Sequence, residues 1–207
     1  MSLSTYADLL TAITSWTHRA DLGSYNPDFV SLGESRINSE LRVRAMETTV
    51  ASTISAGVIA VPSGYIEMKD FYISSTTPYK SLQRKTVNWI YDQYPTRASQ
   101  GTPAFFAREG SNFIFGPFPD STYTLTLLYY ARLPAISGAV NTLFTNYPGL
   151  YLFAALAETA PFLKDDKRVG LWEAKYQELK RRAQDEDDDE DHSGSVMQIN
   201  SVGLEIR

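Results

Sequence analysis

The hydrophobic period of this chain changes twice along its length. Apolar residues recur every three or four positions near both ends and every second position in the middle. One chain satisfies both periods only by forming helices at its ends and strands between them. Tyr6, Leu9, Leu10, Ile13 and Trp16 form the first helical stripe, with Ser4 expected as its N-cap and Asp8 in the first turns. After a loop at 21–25, Asn26 is expected to cap a second helix with Pro27 at its first position, where a missing N–H costs nothing. Phe29, Val30, Ile37 and Leu41 supply its buried stripe. Helical period returns near Asn146. Residues 150–163 are apolar nearly all round, with Pro161 expected to bend or end that helix, and a last amphipathic helix is expected over 166–183.

Between these ends the chain is rich in β-branched and aromatic residues. Residues 48–54 and 58–61 flank Ser55-Ala56-Gly57 and read as a hairpin. Further strands are expected at 65–73, 80–82, 104–108, 112–115 and 123–132, with a short helix at 84–91, for about six main strands. The expected fold is α+β: a helical bundle formed by the N- and C-terminal helices, an inserted antiparallel β domain, and an extended C-terminal arm. The boundaries read as 1–46 for the first helices, 47–140 for the β domain with one short helix, 141–184 for the last helices, and 185–207 for an acidic linker and arm.

Charge sets the last segment apart. The formal net charge is −5, yet residues 1–184 hold 16 acids and 18 bases, whereas residues 185–207 hold 8 acids and one base. The near-neutral body argues against a chain whose main task is gripping nucleic acid, which needs a concentrated basic face. Seven consecutive acids, Asp185, Glu186, Asp187, Asp188, Asp189, Glu190 and Asp191, repel one another and read as a solvated, extended linker able to span roughly 25 Å as far as His192. Beyond it Val196, Ile199, Val202, Leu204, Ile206 and Arg207 belong to a short arm in which Val202, Leu204 and Ile206 share one side of an extended strand. The arm is too short to bury them by itself, so it is expected to dock on another subunit by strand addition or groove filling; a frayed tail is the alternative.

Catalytic chemistry finds little support. There is no cysteine, and His18 and His192 lack a local nucleophile and carboxylate arrangement, so both read as capping or surface residues. Glu67 and Asp70, an odd number apart on a strand, are expected on opposite faces. Asp185, Asp187, Asp189 and Asp191 fall at alternate positions of a calcium loop, but Glu190 replaces the turn glycine and Val196 the bidentate glutamate. No phosphate-cradling glycine loop is present. Catalytic, cofactor and metal sites are therefore expected to be absent. Arg36, Arg42 and Arg44 are candidates for contacts with a partner or a neighbouring copy, with solvated surface as the alternative. Phe105, Phe106, Phe113, Phe115 and Phe118 read as core, with a sugar-stacking face as the alternative. No stretch approaches the ~20 apolar residues of a membrane span, and the first residues lack the pattern of a signal peptide. A soluble protein made without secretory export is expected.

Several segments then match a known family in order and spacing. They are Leu3-Ser-Thr-Tyr-Ala-Asp-Leu9, Pro27-Asp-Phe-Val30, Arg36-Ile-Asn-Ser-Glu-Leu-Arg-Val-Arg-Ala-Met-Glu47 and Val61-Pro-Ser-Gly-Tyr-Ile-Glu67, then Gly116-Pro-Phe-Pro-Asp120, Tyr129-Tyr-Ala-Arg-Leu-Pro134, Leu150-Tyr-Leu-Phe-Ala-Ala-Leu-Ala-Glu158 and Phe162-Leu-Lys-Asp-Asp166, followed by Trp172 and Tyr176. Over about residues 1–182 the chain resembles the adaptor, or head–tail connector, proteins of tailed bacteriophages. Gly33 departs from the expected Leu-Ala-Glu of the second helix, at about 1 kcal/mol of helix propensity. The acidic run and arm carry no family pattern. The resemblance implies a structural virion protein at the head–tail interface, made in the host bacterial cytoplasm and without catalysis. It implies a ring, commonly of twelve copies, beneath the portal protein, extending the DNA channel and offering a platform to a downstream tail or nozzle protein. It also implies that the C-terminal segment reaches the portal, and that DNA passes without sequence-specific binding. The rival reading is a carbohydrate-binding or hydrolytic tail module, which needs Phe113 and Phe115 exposed.

Overall fold

A computed structural model describes residues 3–95, 99–163 and 168–192 of the chain. In order they form helix α1 (Tyr6–Thr17), a 3₁₀ turn (Ala20–Leu22), α2 (Asn26–Glu40), a second 3₁₀ turn (Arg44–Met46), β1 (Glu47–Ile54), β2 (Val58–Ala60), β3 (Tyr65–Ile73), β4 (Lys80–Ser81), β5 (Gln83–Arg84) and α3 (Val87–Gln93). Then follow β6 (Gln100–Gly101), β7 (Phe105–Glu109), β8 (Asn112–Gly116), β9 (Phe118–Pro119), β10 (Tyr123–Ala131), α4 (Thr142–Asn146), α5 (Pro148–Glu158), α6 (Ala160–Leu163) and α7 (Val169–His192). The fold is α+β. The chain divides into two units, one built from its two ends (up to Ile37 and from Tyr147), the other Asn38–Asn146.

In the helical unit, α1 begins with a capping box. Thr5, one residue after the expected cap Ser4, accepts from the Asp8 N–H, and Asp8 reaches back to the Thr5 N–H. Those two hydroxyls, Thr5 first and then Ser4, hold the Asp8 carboxyl below its usual range. Asn26 does not cap α2. It is the first helical residue, and its amide donates to Leu10 O (3.3 Å) and Thr14 Oγ1 (2.8 Å), tying α2 to α1. α5 buries Leu150, Tyr151, Leu152 and Ala154–Ala157. It stops at Glu158, ahead of Pro161, where the Thr159 hydroxyl takes up the Leu156 carbonyl at 2.7 Å. At Gly33 the α2 backbone lies tight against α5: a Cβ there would lie 3.0 Å from Ala155 N and 3.2 Å from Ala154 C. The departure from helix propensity is thus a packing requirement. Arg36, one turn on, forks onto Glu173 of α7 (2.8 and 2.5 Å), lies 3.7 Å from Glu158 of α5, and sits 4.2 Å above the Tyr176 ring. Trp172 and Tyr176 of α7 are fully buried, and Arg168 closes α1 by donating to Trp16 O and Thr17 O at 2.9 and 3.3 Å.

α7 corrects the sequence reading at its end. The helix does not stop near Ala183; it continues through the acidic run to His192. Extension of an existing helix needs one hydrogen bond per residue and no new nucleus. Two contacts hold the junction: Arg182 pairs with Glu186 one turn on at 2.7 Å, and the Tyr147 hydroxyl donates to Glu186. The eight residues 185–192 therefore rise about 12 Å as helix instead of spanning roughly 25 Å.

The second unit carries sheets of strand order β1-β10-β3-β4 and β2-β8-β7-β5, with a small β6-β9 pair. Pairing is antiparallel except at the two-residue contacts β5–β7 and β6–β9. The inner faces meet in one core. Ile54, Phe71, Ile73, Leu125, Leu127 and Tyr129 from the first sheet pack with Phe106, Phe113 and Phe115 from the second. α3 covers the other face of the second sheet through Ile90 on Ala107 and Ile114.

Two expectations fail here for local reasons. β1 and β2 form no hairpin: β1 pairs with β10, and β2 with β8. Residues 55–57 instead carry the chain from one sheet to the other, through Gly57 at φ +70°, where a Cβ would strike the Phe118 ring at 2.6 Å. Glu67 and Asp70 do share a face. A bulge leaves Lys69 unpaired between Met68↔Tyr129 and Asp70↔Leu128, which resets the alternation and turns both carboxylates outward.

Two measurements check this account. Gly33→Ala, which propensity alone predicts to stabilise by about 1 kcal/mol, is expected instead to lower the melting temperature, because overpacking of about 1–3 kcal/mol outweighs it; thermal melts give the sign. Glu173 is held below the usual carboxylate range, first by its bond to Arg36 and then by Gln177. A depressed folded pKa adds stability that is full above the unfolded value and fades as pH falls through the folded one. Glu173→Gln is therefore expected to cost about 1 kcal/mol at neutral pH, reduced by solvent at this half-exposed pair, and less below pH 4. Denaturant melts across pH should show the gap between variant and parent closing in acid.

Candidate interaction surfaces

Among the described residues no three His, Cys, Asp or Glu side chains are placed to hold a metal ion. His18 is the left-handed C-cap of α1 at φ 55°, and His192 is the last residue of α7. Glu67 and Asp70, though on one face, are exposed on a sheet surface. Glu67 pairs with Arg42 at 3.1 Å, and Asp70 accepts from the Phe71 N–H. Phe113 and Phe115 are 2% and 5% exposed. They hold the two sheets together, so they cannot form an exposed sugar-stacking row. No helix of the described residues is long and apolar enough to cross a membrane.

The three arginines have separate environments. Arg36 is engaged within its own unit by Glu173, Glu158 and Tyr176. Arg42 donates to the Asn38, Ser39 and Leu41 carbonyls at 3.2, 3.4 and 2.6 Å, closing the C-terminus of α2 as a cation favourably does. Arg44 opens the 3₁₀ turn before β1 and is exposed.

The tip of α7 is the most charged feature. Asp185, Glu186, Asp188, Asp189 and Glu190 are exposed and Asp187 half-buried. Carboxylates at a helix C-terminus oppose the dipole, so the tip relies on the contacts at its base. The bond to Glu186 pushes the Tyr147 hydroxyl up to about 12, and Tyr147 and then Arg182 hold Glu186 below its usual range. The arm, with Val196, Ile199, Val202, Leu204, Ile206 and Arg207, lies outside the described residues, as does the side chain of Asp191.

Two surfaces escaped the sequence reading. On the helical unit Trp16 (45% exposed) and Leu171 (58%) stand beside Trp172 and Arg168 around a shallow recess of about 400 Å³. Helical period assigned Trp16 to the core, and only its place at the end of α1, on the Phe153 ring at 5.4 Å, leaves it half in solvent. In the second unit a cleft of about 540 Å³ runs between Ala51–Thr53 of β1 and Val58–Ala60 of β2, the two strands expected to pair.

The profile of the family described as SU10 adaptor protein matches residues 4–198. The match includes both sheets, the helices of both chain ends and the acidic tip of α7, and so extends beyond about residue 182, where the resemblance read from the sequence ends. No curated protein matches the chain. The match spans well over half of the sequence, and the chain belongs to the SU10 adaptor protein family, a family of phage head–tail adaptors.

Proposed function

We propose that this structural phage adaptor works as a ring of copies beneath the portal protein at the head–tail interface, extends the DNA channel, and presents a platform to a downstream tail or nozzle protein. The family match across residues 4–198 carries the reading. Twelve copies are the number implied by the resemblance. Helical units pack side by side as a bundle around the ring, and the exposed Trp16 and Leu171 give each copy an apolar surface for that contact. The C-terminal arm, Val196 to Arg207, closes on another subunit of the vertex, with the portal as the partner the resemblance implies. Ordering the arm on docking carries an entropic cost, and many attachments per ring offset it through avidity. The carboxylates of the α7 tip keep DNA phosphate at a distance, so DNA slides past without being read. No catalytic step is part of the mechanism, and the burial of Phe113 and Phe115 weighs against the carbohydrate reading.

Light scattering on the purified chain, with and without portal rings, tests the proposal. A defined multi-copy species joined to portal is the expected result. Trp16→Lys combined with Leu171→Lys should reduce it at least tenfold while leaving the circular-dichroism spectrum unchanged. A chain that stays monomeric and ignores portal would overturn the reading.

A further inference from the structure

We infer that the recess at Trp16 and Leu171 takes a second apolar patch, formed by Tyr25, Leu32 and Phe162, from the next copy around the ring. The inference rests on the ring reading and names the surface that meets the recess. Neighbours in a closed cyclic ring of more than two copies are not related by a two-fold axis, so each contact joins two different surfaces of the chain. The recess supplies one of them. The second patch lies on other elements of the same helical unit. Tyr25 stands at the start of α2, where its carbonyl accepts from the Asp28 and Phe29 N–H groups at 3.0 and 3.2 Å. Helical spacing from there puts Tyr25, Asp28 and Leu32 along one face, and all three are exposed. Phe162 of α6 adds to this surface. Its ring lies 4.9 Å from that of Tyr25 and 5.8 Å from that of the buried Phe29, yet it remains 48% exposed. A ring already held by two others loses little freedom on docking, as suits an anchor residue. Large apolar side chains grouped around one stretch of helix mark an interaction surface, whereas single ones need no explanation.

Shape and charge favour pairing the patch with the recess over pairing either surface with itself. The recess is concave, and its lining of Ser15, Trp16, His18, Arg168, Leu171 and Trp172 contains no carboxylate. The patch carries outward side chains, with Asp28 between Tyr25 and Leu32 on the α2 face. Patch on patch brings Asp28 toward Asp28, and recess on recess brings Arg168 toward Arg168. Like charges set against each other across an interface suppress that pairing. Recess on patch brings an arginine toward an aspartate instead. It also places Trp16 against Tyr25 and Phe162, which joins aromatic residues, Trp and Tyr being the types in which interface energy concentrates. A head-to-tail contact of this kind is the type that closes into a ring.

The chain has no cysteine, which gives a clean background for the test. Full-length chains carrying Leu171→Cys are mixed with chains carrying Leu32→Cys or Ser35→Cys in turn, assembled with portal rings and oxidised. A disulfide-linked pair of unlike chains on a non-reducing gel, at one or both positions, is the expected result, and neither chain alone gives a link. One chain carrying both Leu171→Cys and the linking α2 cysteine is expected to give a ladder of linked copies beyond the dimer. Adding Asp28→Lys to the α2-cysteine chain should lower the yield of unlike pairs roughly tenfold or more, with the circular-dichroism spectrum unchanged. A multi-copy species in which only like chains link, or in which none do, would overturn the inference and leave the ring reading standing. An unchanged yield with Asp28→Lys would overturn it too. Chains that light scattering finds monomeric with portal present fail the ring reading itself, and the inference with it.

Discussion

Phe71 is the contact on which the second unit is built. Its ring lies 5.1–5.7 Å from those of Phe106, Phe113 and Phe115, so one side chain of the first sheet meets three of the second. Aromatic packing of this kind adds about 0.5–1.5 kcal/mol per pair beyond area burial, and it gathers the rings around the C-terminal part of β3. The consequence is an asymmetric sandwich. Leu82 closes the core near β4 and β5, while on the opposite side β1 and β2 are held apart by the residues that step between sheets. The exposed cleft follows from where the aromatic residues are placed.

A comparable economy governs the helical unit. α5 is apolar around most of its circumference and takes neighbours on several sides, which requires that one of them approach very closely. Gly33 allows α2 to do so at Ala154 and Ala155. Small residues at a crossing provide little apolar area, and Arg36 supplies what is missing by joining α2 to α5 and α7 through carboxylates and the Tyr176 face. Close approach and charged clamp fall within one turn of the same helix. The crossing is thus fixed in position as well as in distance.

These arrangements were unevenly legible in the sequence. The order of helices and strands followed from period alone, because each long element keeps one face buried: Leu9, Ile13 and Trp172, Tyr176 in the helices, Leu125, Leu127 and Tyr129 in β10. Pairing was harder. Residues 48–61 read as a hairpin because proximity in sequence favours one, yet both strands found longer partners, β10 and β8, from far along the chain. Strand alternation puts Glu67 and Asp70 on opposite faces, and the bulge at Lys69 that reverses this has no fixed signature in composition. Arg36 looked like surface charge, since its partners Glu158 and Glu173 lie more than 120 residues away. Helical spacing places Trp16 in the core, because spacing cannot show that a stripe runs past the end of its partner.

The acidic run shows why local charge is a poor guide to conformation. Seven adjacent carboxylates favour an extended chain when considered alone, and the contacts around Arg182, Glu186 and Tyr147 reverse the outcome by anchoring the second of them, Glu186, to an existing helix. Beyond that anchor the carboxylates still oppose the helix dipole. Unwinding the tip is therefore inexpensive and would lengthen it from about 12 Å toward roughly 25 Å.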